Sequence, residues 1–137
     1  MTNVYIGFDY GKRYIGVAVG NDTTNHAEGI GVVLANKGVP TWEDIDVMLS
    51  KWRPKALIVG WPLNMDGSEQ NLSKAVKVFE RNLKERYKLE VYLVDERLTS
   101  YEAKKQLGKK EQDKTLVDST SAKIVLEQWL LERNVNE

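Results

Sequence analysis

Two apolar runs, about Val4–Phe8 and Tyr14–Val19, are separated only by Asp9-Tyr10-Gly11-Lys12-Arg13. So short a connection leaves the runs an antiparallel hairpin and little else. Gly11 can supply the left-handed turn, and Gly16, inside the second strand, leaves room for another backbone or a ligand to come close. Asp9 falls where the first strand ends. A carboxylate there costs free energy unless a basic side chain, a metal ion or a helix N-terminus waits for it, and the rest of the chain reads as arranged to bring two more carboxylates to it.

Past the loop Asn21–His26, Gly29–Leu34 reads as a third, edge strand, which gives a three-stranded meander before Gly38-Val39-Pro40 breaks the pattern. The period then becomes helical. Ile45, Met48, Leu49 and Trp52 share one stripe, Thr41 and Asp44 have the spacing of a capping box, and Pro54 ends the helix. Ala56–Gly60 is an unbroken apolar run, as in a strand buried on both faces and parallel to its neighbour. Trp61–Ser68 is a loop by its turn residues. A long amphipathic helix follows through Leu72, Ala75, Val76, Phe79, Leu83 and Tyr87.

Val91–Val94 is the fifth strand, and it runs into Asp95-Glu96-Arg97. Thr99–Gln106 reads as a short helix with a Thr99/Glu102 capping box, and Gly108–Lys114 as a polar connection. The last helix spans about Leu116–Leu131, its stripe passing through Ala122, Val125, Leu126 and Trp129 with Asp118 at the head. The expected architecture is α/β: a five-stranded mixed sheet, a three-stranded antiparallel meander plus two parallel strands, flanked by helices. Right-handed crossovers would open the loops after Asp9, Gly60 and Val94 at one end of the sheet.

At 137 residues the chain reads as a single domain, 1–137, with no linker, repeat or low-complexity segment. No apolar run approaches the roughly 20 residues of a membrane span. Met1-Thr2-Asn3 leads straight into a strand without the basic start and apolar core of a signal peptide, and there is no cysteine, so the expected location is cytoplasmic. Twenty basic against twenty acidic residues give a net charge of zero. Any contact with nucleic acid must therefore be a local patch, with Lys12-Arg13, Arg97, Lys104-Lys105, and Lys109-Lys110 with Lys114 as candidates.

Five stretches together resemble the YqgF (RuvX) family of ribonuclease-H-like proteins: Phe8-Asp9-Tyr10-Gly11, Ile15-Gly16-Val17-Ala18, Val59–Glu69, Val94–Thr99 and Val117–Ala122. The resemblance implies a ribonuclease-H-like fold and an acidic active site carried by Asp9, Glu96 and Asp118. It also implies a bacterial, cytoplasmic nuclease. The family is associated with maturation of the 5′ end of 16S pre-ribosomal RNA and has been described as a Holliday junction resolvase for its similarity to RuvC. Many members carry Lys-Arg directly before the Ile-Gly; here Arg13-Tyr14 keeps the first base and replaces the second.

The residue types suit that chemistry. Phosphodiester hydrolysis needs a nucleophilic water and neutralisation of both the attacking and leaving oxygens, which two Mg²⁺ (or Mn²⁺) ions supply. Mg²⁺ takes hard oxygen ligands, so converging carboxylates suffice, and the single histidine, His26, reads as a loop residue. Asp9, Glu96 and Asp118 are thus the candidate metal ligands and catalytic residues. Strand parity alone leaves Asp95 and Glu96 open, and the family pattern favours Glu96. Asp118 competes with a capping role in Thr115–Asp118.

The candidate substrate-binding residues are Lys12, Arg13, Asn64, Asp66, Ser68 and Arg97. Ser68 could equally cap the long helix, and Trp61 is the aromatic residue to test for base stacking. The expected partner is nucleic acid, pre-ribosomal RNA first and branched DNA second, bound by a monomer or homodimer with no membrane involved. A Holliday junction resolvase would need two sites related by a two-fold axis. An actin-type ATPase would need a second lobe. A non-catalytic ribosome-biogenesis protein that binds RNA would retain its function as Asp9→Asn.

Overall fold

The computed structural model describes residues 2–96 and 114–136. The elements in order are β1 (Val4–Asp9), β2 (Tyr14–Asn21), β3 (Ala27–Asn36), β4 (Val39–Pro40), α1 (Trp42–Trp52), β5 (Ala56–Trp61), α2 (Asn71–Tyr87), β6 (Glu90–Asp95) and α3 (Lys114–Asn136). The expected helix Thr99–Gln106 and the polar connection after it lie outside the described residues, Lys114 apart.

The sheet has six strands, not five, in the order β4-β3-β2-β1-β5-β6. β1 pairs antiparallel with β2 and parallel with β5, and β5 pairs parallel with β6. The extra strand is the two-residue β4, which pairs Val39 with Asn36 and Pro40 with Ala35 at the sheet edge. Proline lacks an N–H and is tolerated on an edge strand, so Pro40, expected to break the meander, takes part in it.

Each face of the sheet carries its own core. Ile6, Phe8, Ile15, Val17, Leu57 and Val59 pack under Ile45 and Leu49 of α1 and Val76, Phe79 and Leu83 of α2. On the opposite face Tyr5, Ala18, Ile58 and Val94 meet Ala122, Val125, Leu126 and Leu130 of α3. The helix lies close because glycines floor it: a Cβ on Gly7 would stand 2.9 Å from Leu126 Cβ and 3.2 Å from the Ala122 carbonyl oxygen.

Two expected caps are corrected. The Thr41 hydroxyl donates to the Leu34 carbonyl at 2.9 Å instead of capping α1, so it ties the helix start to β3. α2 begins at Asn71 with Gln70 and Ser73 as its capping pair, the Gln70 N–H donating to Ser73 Oγ at 3.0 Å, which leaves Ser68 outside the cap.

Candidate active site

β1, β5 and β6 run parallel, so Asp9, Trp61 and Asp95 lie at one end of the sheet. Alternation along the strands then decides which carboxylates meet. Tyr5 faces α3 while Ile6 and Phe8 face the other way, which puts Gly7 and Asp9 on the α3 side. Val94 also faces α3. Two residues further on, Glu96 shares that side, and Asp95 turns to the other.

The Asp9 and Glu96 side chains are joined by a hydrogen bond. Burial pushes the Glu96 carboxyl above its ordinary pKa, the bond to Asp9 pulls it back, and the charge of Asp95 raises it further. Beneath the pair lies the bare Cα of Gly60: a Cβ there would stand 2.5 Å from Glu96 Oε1 and 2.9 Å from its Cγ. Gly60, to which the sequence reading gives no role, is thus the floor of the site. Its signal is a glycine closing a strand of otherwise larger apolar residues.

α3 runs antiparallel to β1. Trp129 and Arg133 lie at Tyr5, and Leu126 and Ala122 at Gly7. Towards its start the helix crosses to β3, where a Cβ on Gly29 would stand 2.9 Å from Ser119 Oγ. The Asp118 side chain, and Arg97 entirely, lie outside the described residues.

Lys12 and Arg13 are exposed on the turn that follows Asp9, and the Arg13 guanidinium lies 5.9 Å from the centre of the Tyr14 ring. Asn64, Asp66 and Ser68 form an exposed loop after β5 closed on itself. Asn64 Nδ2 donates to Ser68 Oγ at 3.0 Å, and the Ser68 N–H and hydroxyl donate to Asp66 Oδ1 at 2.9 and 2.6 Å. Trp61 belongs to the α2 side, with Nε1 donating to the Ser73 carbonyl at 3.3 Å and Lys77 Nζ 4.7 Å from its ring centre. It is a packing residue there. His26 meets Glu127 at 3.4 Å, remote from the carboxylates, as a loop residue should. A cleft of about 470 Å³ lined by Val4, Val19 and Trp52 opens at the opposite end of the sheet, at the start of β1.

Asp9 and Glu96 offer adjacent carboxyl oxygens, the donor chemistry of Mg²⁺, which binds through as few as one or two carboxylates and keeps several waters. The pair fits such an ion. Among the described residues no group of three Asp, Glu, His or Cys side chains gathers to hold a metal.

A mixed sheet in this order, helices on both faces and carboxyls converging at the ends of its parallel strands define a ribonuclease-H-like protein. Solved structures share the fold: T. thermophilus RuvC in complex with Holliday junction substrate (TM-score 0.57, 18% identity, 96% of each chain), and the fowlpox virus Holliday junction resolvase (TM-score 0.55, 12% identity, 94% of this chain and 99% of that one). The chain belongs to the RuvX family, described as Holliday junction resolvase, whose model matches residues 3–132. Similar proteins from Coxiella burnetii (strain Dugway 5J108-111; 46% identity over 95% of this chain and 94% of the relative) and Aeromonas salmonicida (strain A449; 43%, 93% and 94%) carry the name "Putative pre-16S rRNA nuclease". As a member of this family the protein is a hydrolytic nuclease. No helix among the described residues is long and apolar enough to cross a membrane.

Proposed function

We propose that the protein is a divalent-metal-dependent nuclease that hydrolyses phosphodiester bonds in the 5′-end maturation of 16S pre-ribosomal RNA, in the cytoplasm. The observation that carries this reading is the hydrogen-bonded convergence of Asp9 and Glu96 over Gly60, in a chain 43–46% identical to relatives named for that substrate. Asp9, Glu96 and Asp118 are the metal ligands and catalytic carboxylates. When bound, Mg²⁺ or Mn²⁺ neutralises charge on the attacking and leaving oxygens.

The chain's own groups do the rest. Asp9 and Glu96, brought together over the floor at Gly60, would hold the cation through their carboxylate oxygens once deprotonated. Lys12, Arg13 and Arg97 neutralise flanking phosphates and fix the strand's register. Asn64, Asp66 and Ser68 present the closed loop after β5 to the substrate on the other side.

The test is a side-by-side assay of a pre-16S RNA fragment and a synthetic four-way DNA junction, each with Mg²⁺, Mn²⁺ or EDTA, for the wild type and Asp9→Asn. Cleavage of the RNA that requires metal and Asp9 is the expected result. Preferential, paired cleavage of the junction by a dimer would transfer the activity to junction resolution, and cleavage persisting in EDTA would overturn the mechanism.

A further inference from the structure

Tyr10 follows Asp9 directly and points to the opposite face of the sheet, where its ring lies 5.0 Å from that of Phe79 and is 7% exposed. Its hydroxyl donates to the Gly38 carbonyl at 2.6 Å. Gly38 has φ +88°, and a Cβ there would stand 2.5 Å from the Tyr10 hydroxyl oxygen, so only glycine fits beneath this bond. The same turn is pinned twice more: the Gly38 N–H donates to the Lys12 carbonyl and the Ala35 N–H to the Arg13 carbonyl, each at 2.9 Å. One buried ring thereby fixes the backbone between Asp9 and Lys12 and clamps the Lys37–Gly38 turn against the Lys12–Arg13 loop. Lys12, Arg13 and Lys37 are all exposed, and a concavity of about 400 Å³ opens along Gly11–Tyr14.

We propose that Tyr10 is a positioning residue that locks Lys37 to the Lys12–Arg13 loop, forming one rigid three-cation rim beside Asp9 that binds the phosphate backbone of the nucleic-acid substrate. The inference rests on the nuclease reading above and adds Lys37 and Tyr10 to it. The physical need is local. A chain with zero net charge has no global field to draw in a polyanion, and exposed lysines bind phosphates well only when their backbone is already ordered. The latch supplies that order without touching substrate.

The test measures Kd for single-stranded pre-16S leader RNA over a salt series in EDTA, and KM and kcat with Mg²⁺, for the wild type, Lys12→Ala, Arg13→Ala, Lys37→Ala, Tyr10→Phe and the Tyr10→Phe/Lys37→Ala pair. Lys37→Ala should weaken binding about threefold to tenfold and lower the salt slope by about 0.7. Tyr10→Phe keeps the ring and loses only the latch. It should raise KM by about the same factor with kcat little changed, speed exchange at the Gly38 and Ala35 amides, and make the further loss from Lys37→Ala smaller than in the wild type. A Tyr10→Phe protein of lowered melting temperature but wild-type Kd, salt slope and amide exchange would overturn the inference, as would a Lys37→Ala protein that binds normally. If Lys12→Ala and Arg13→Ala weaken binding while those two variants do not, only this inference is lost. If none of the four does, the phosphate-binding reading of the loop fails as well.

Discussion

Glu96 reaches over the bare Cα of Gly60 to hydrogen-bond Asp9, so that two acids 87 positions apart in the chain meet on one face of the sheet. An arrangement of this kind is stored repulsion: it is useful to a cation and unfavourable to the fold that holds it.

The first consequence concerns stability. The pKa of Glu96 is raised in the folded state, so the folded protein holds its proton more tightly than the unfolded chain does, and stability declines as pH rises beyond the ordinary carboxylate range. Glu96→Gln removes that penalty. It is expected to raise the melting temperature at neutral pH while abolishing cleavage, and to remove the stabilisation that Mg²⁺ gives the wild type in the same thermal scan. A melting temperature that falls, or a Mg²⁺ shift that survives, would contradict this.

Gly60→Ala tests the floor of the site. The new methyl group meets the end of a flexible Glu96 side chain, which can swing aside, so the fold should survive with little change in melting temperature. The displaced carboxylate should cost at least about tenfold in kcat, since placement errors near 1 Å in catalytic groups have effects of that order or more. Cleavage at the wild-type rate would mean that Glu96 need not stand where it does.

Gly7→Ala addresses the approach of α3. Its Cβ would meet Leu126 Cβ and the Ala122 carbonyl, atoms of the helix itself, so the helix must shift. Overpacking of this kind costs about 1–3 kcal/mol in urea unfolding. Activity should fall by more than the small unfolded fraction explains, because the same helix carries position 118.

The ion pair between α1 and α2 gives a pH signature separate from the active site. Arg86 donates to both Asp46 oxygens at 2.9 and 2.7 Å and Tyr87 adds its hydroxyl at 2.6 Å, which holds the Asp46 carboxyl down at about 2. A lowered folded-state pKa contributes stability that is fully present above the ordinary value of 3.8 and is lost as pH falls towards 2. The melting-temperature gap between wild type and Asp46→Asn should therefore be constant from pH 7 to about 5 and close in acid. A gap that widens in acid would reverse the sign.

Much of this was legible in the sequence because the physics was local. The short Asp9–Arg13 connection forces the β1–β2 hairpin, the unbroken run Ala56–Gly60 is the buried parallel strand β5, Val91–Val94 is the parallel edge strand β6, and the stripe from Leu72 to Tyr87 is α2. What stayed hidden depends on neighbours distant in sequence. Pro40 is compatible with β4 only because that strand is an edge, and Thr41 leaves its cap only because Leu34 offers a carbonyl. Unbroken apolar runs carry no sign of which face is which. Strand parity alone therefore leaves Asp95 and Glu96 open where the family pattern favours Glu96, and it is the packing of Tyr5 and Val94 against α3 that puts Glu96 on the side of Asp9.

The central claim is that Asp9 and Glu96 together grip a divalent cation. Its most direct measurement is an anomalous difference map from a crystal soaked in Mn²⁺. A manganese peak within bonding distance of both carboxylates, absent in Glu96→Gln, is the expected result. A wild-type map with no ion between residues 9 and 96, or an ion unaffected by the substitution, would contradict the account.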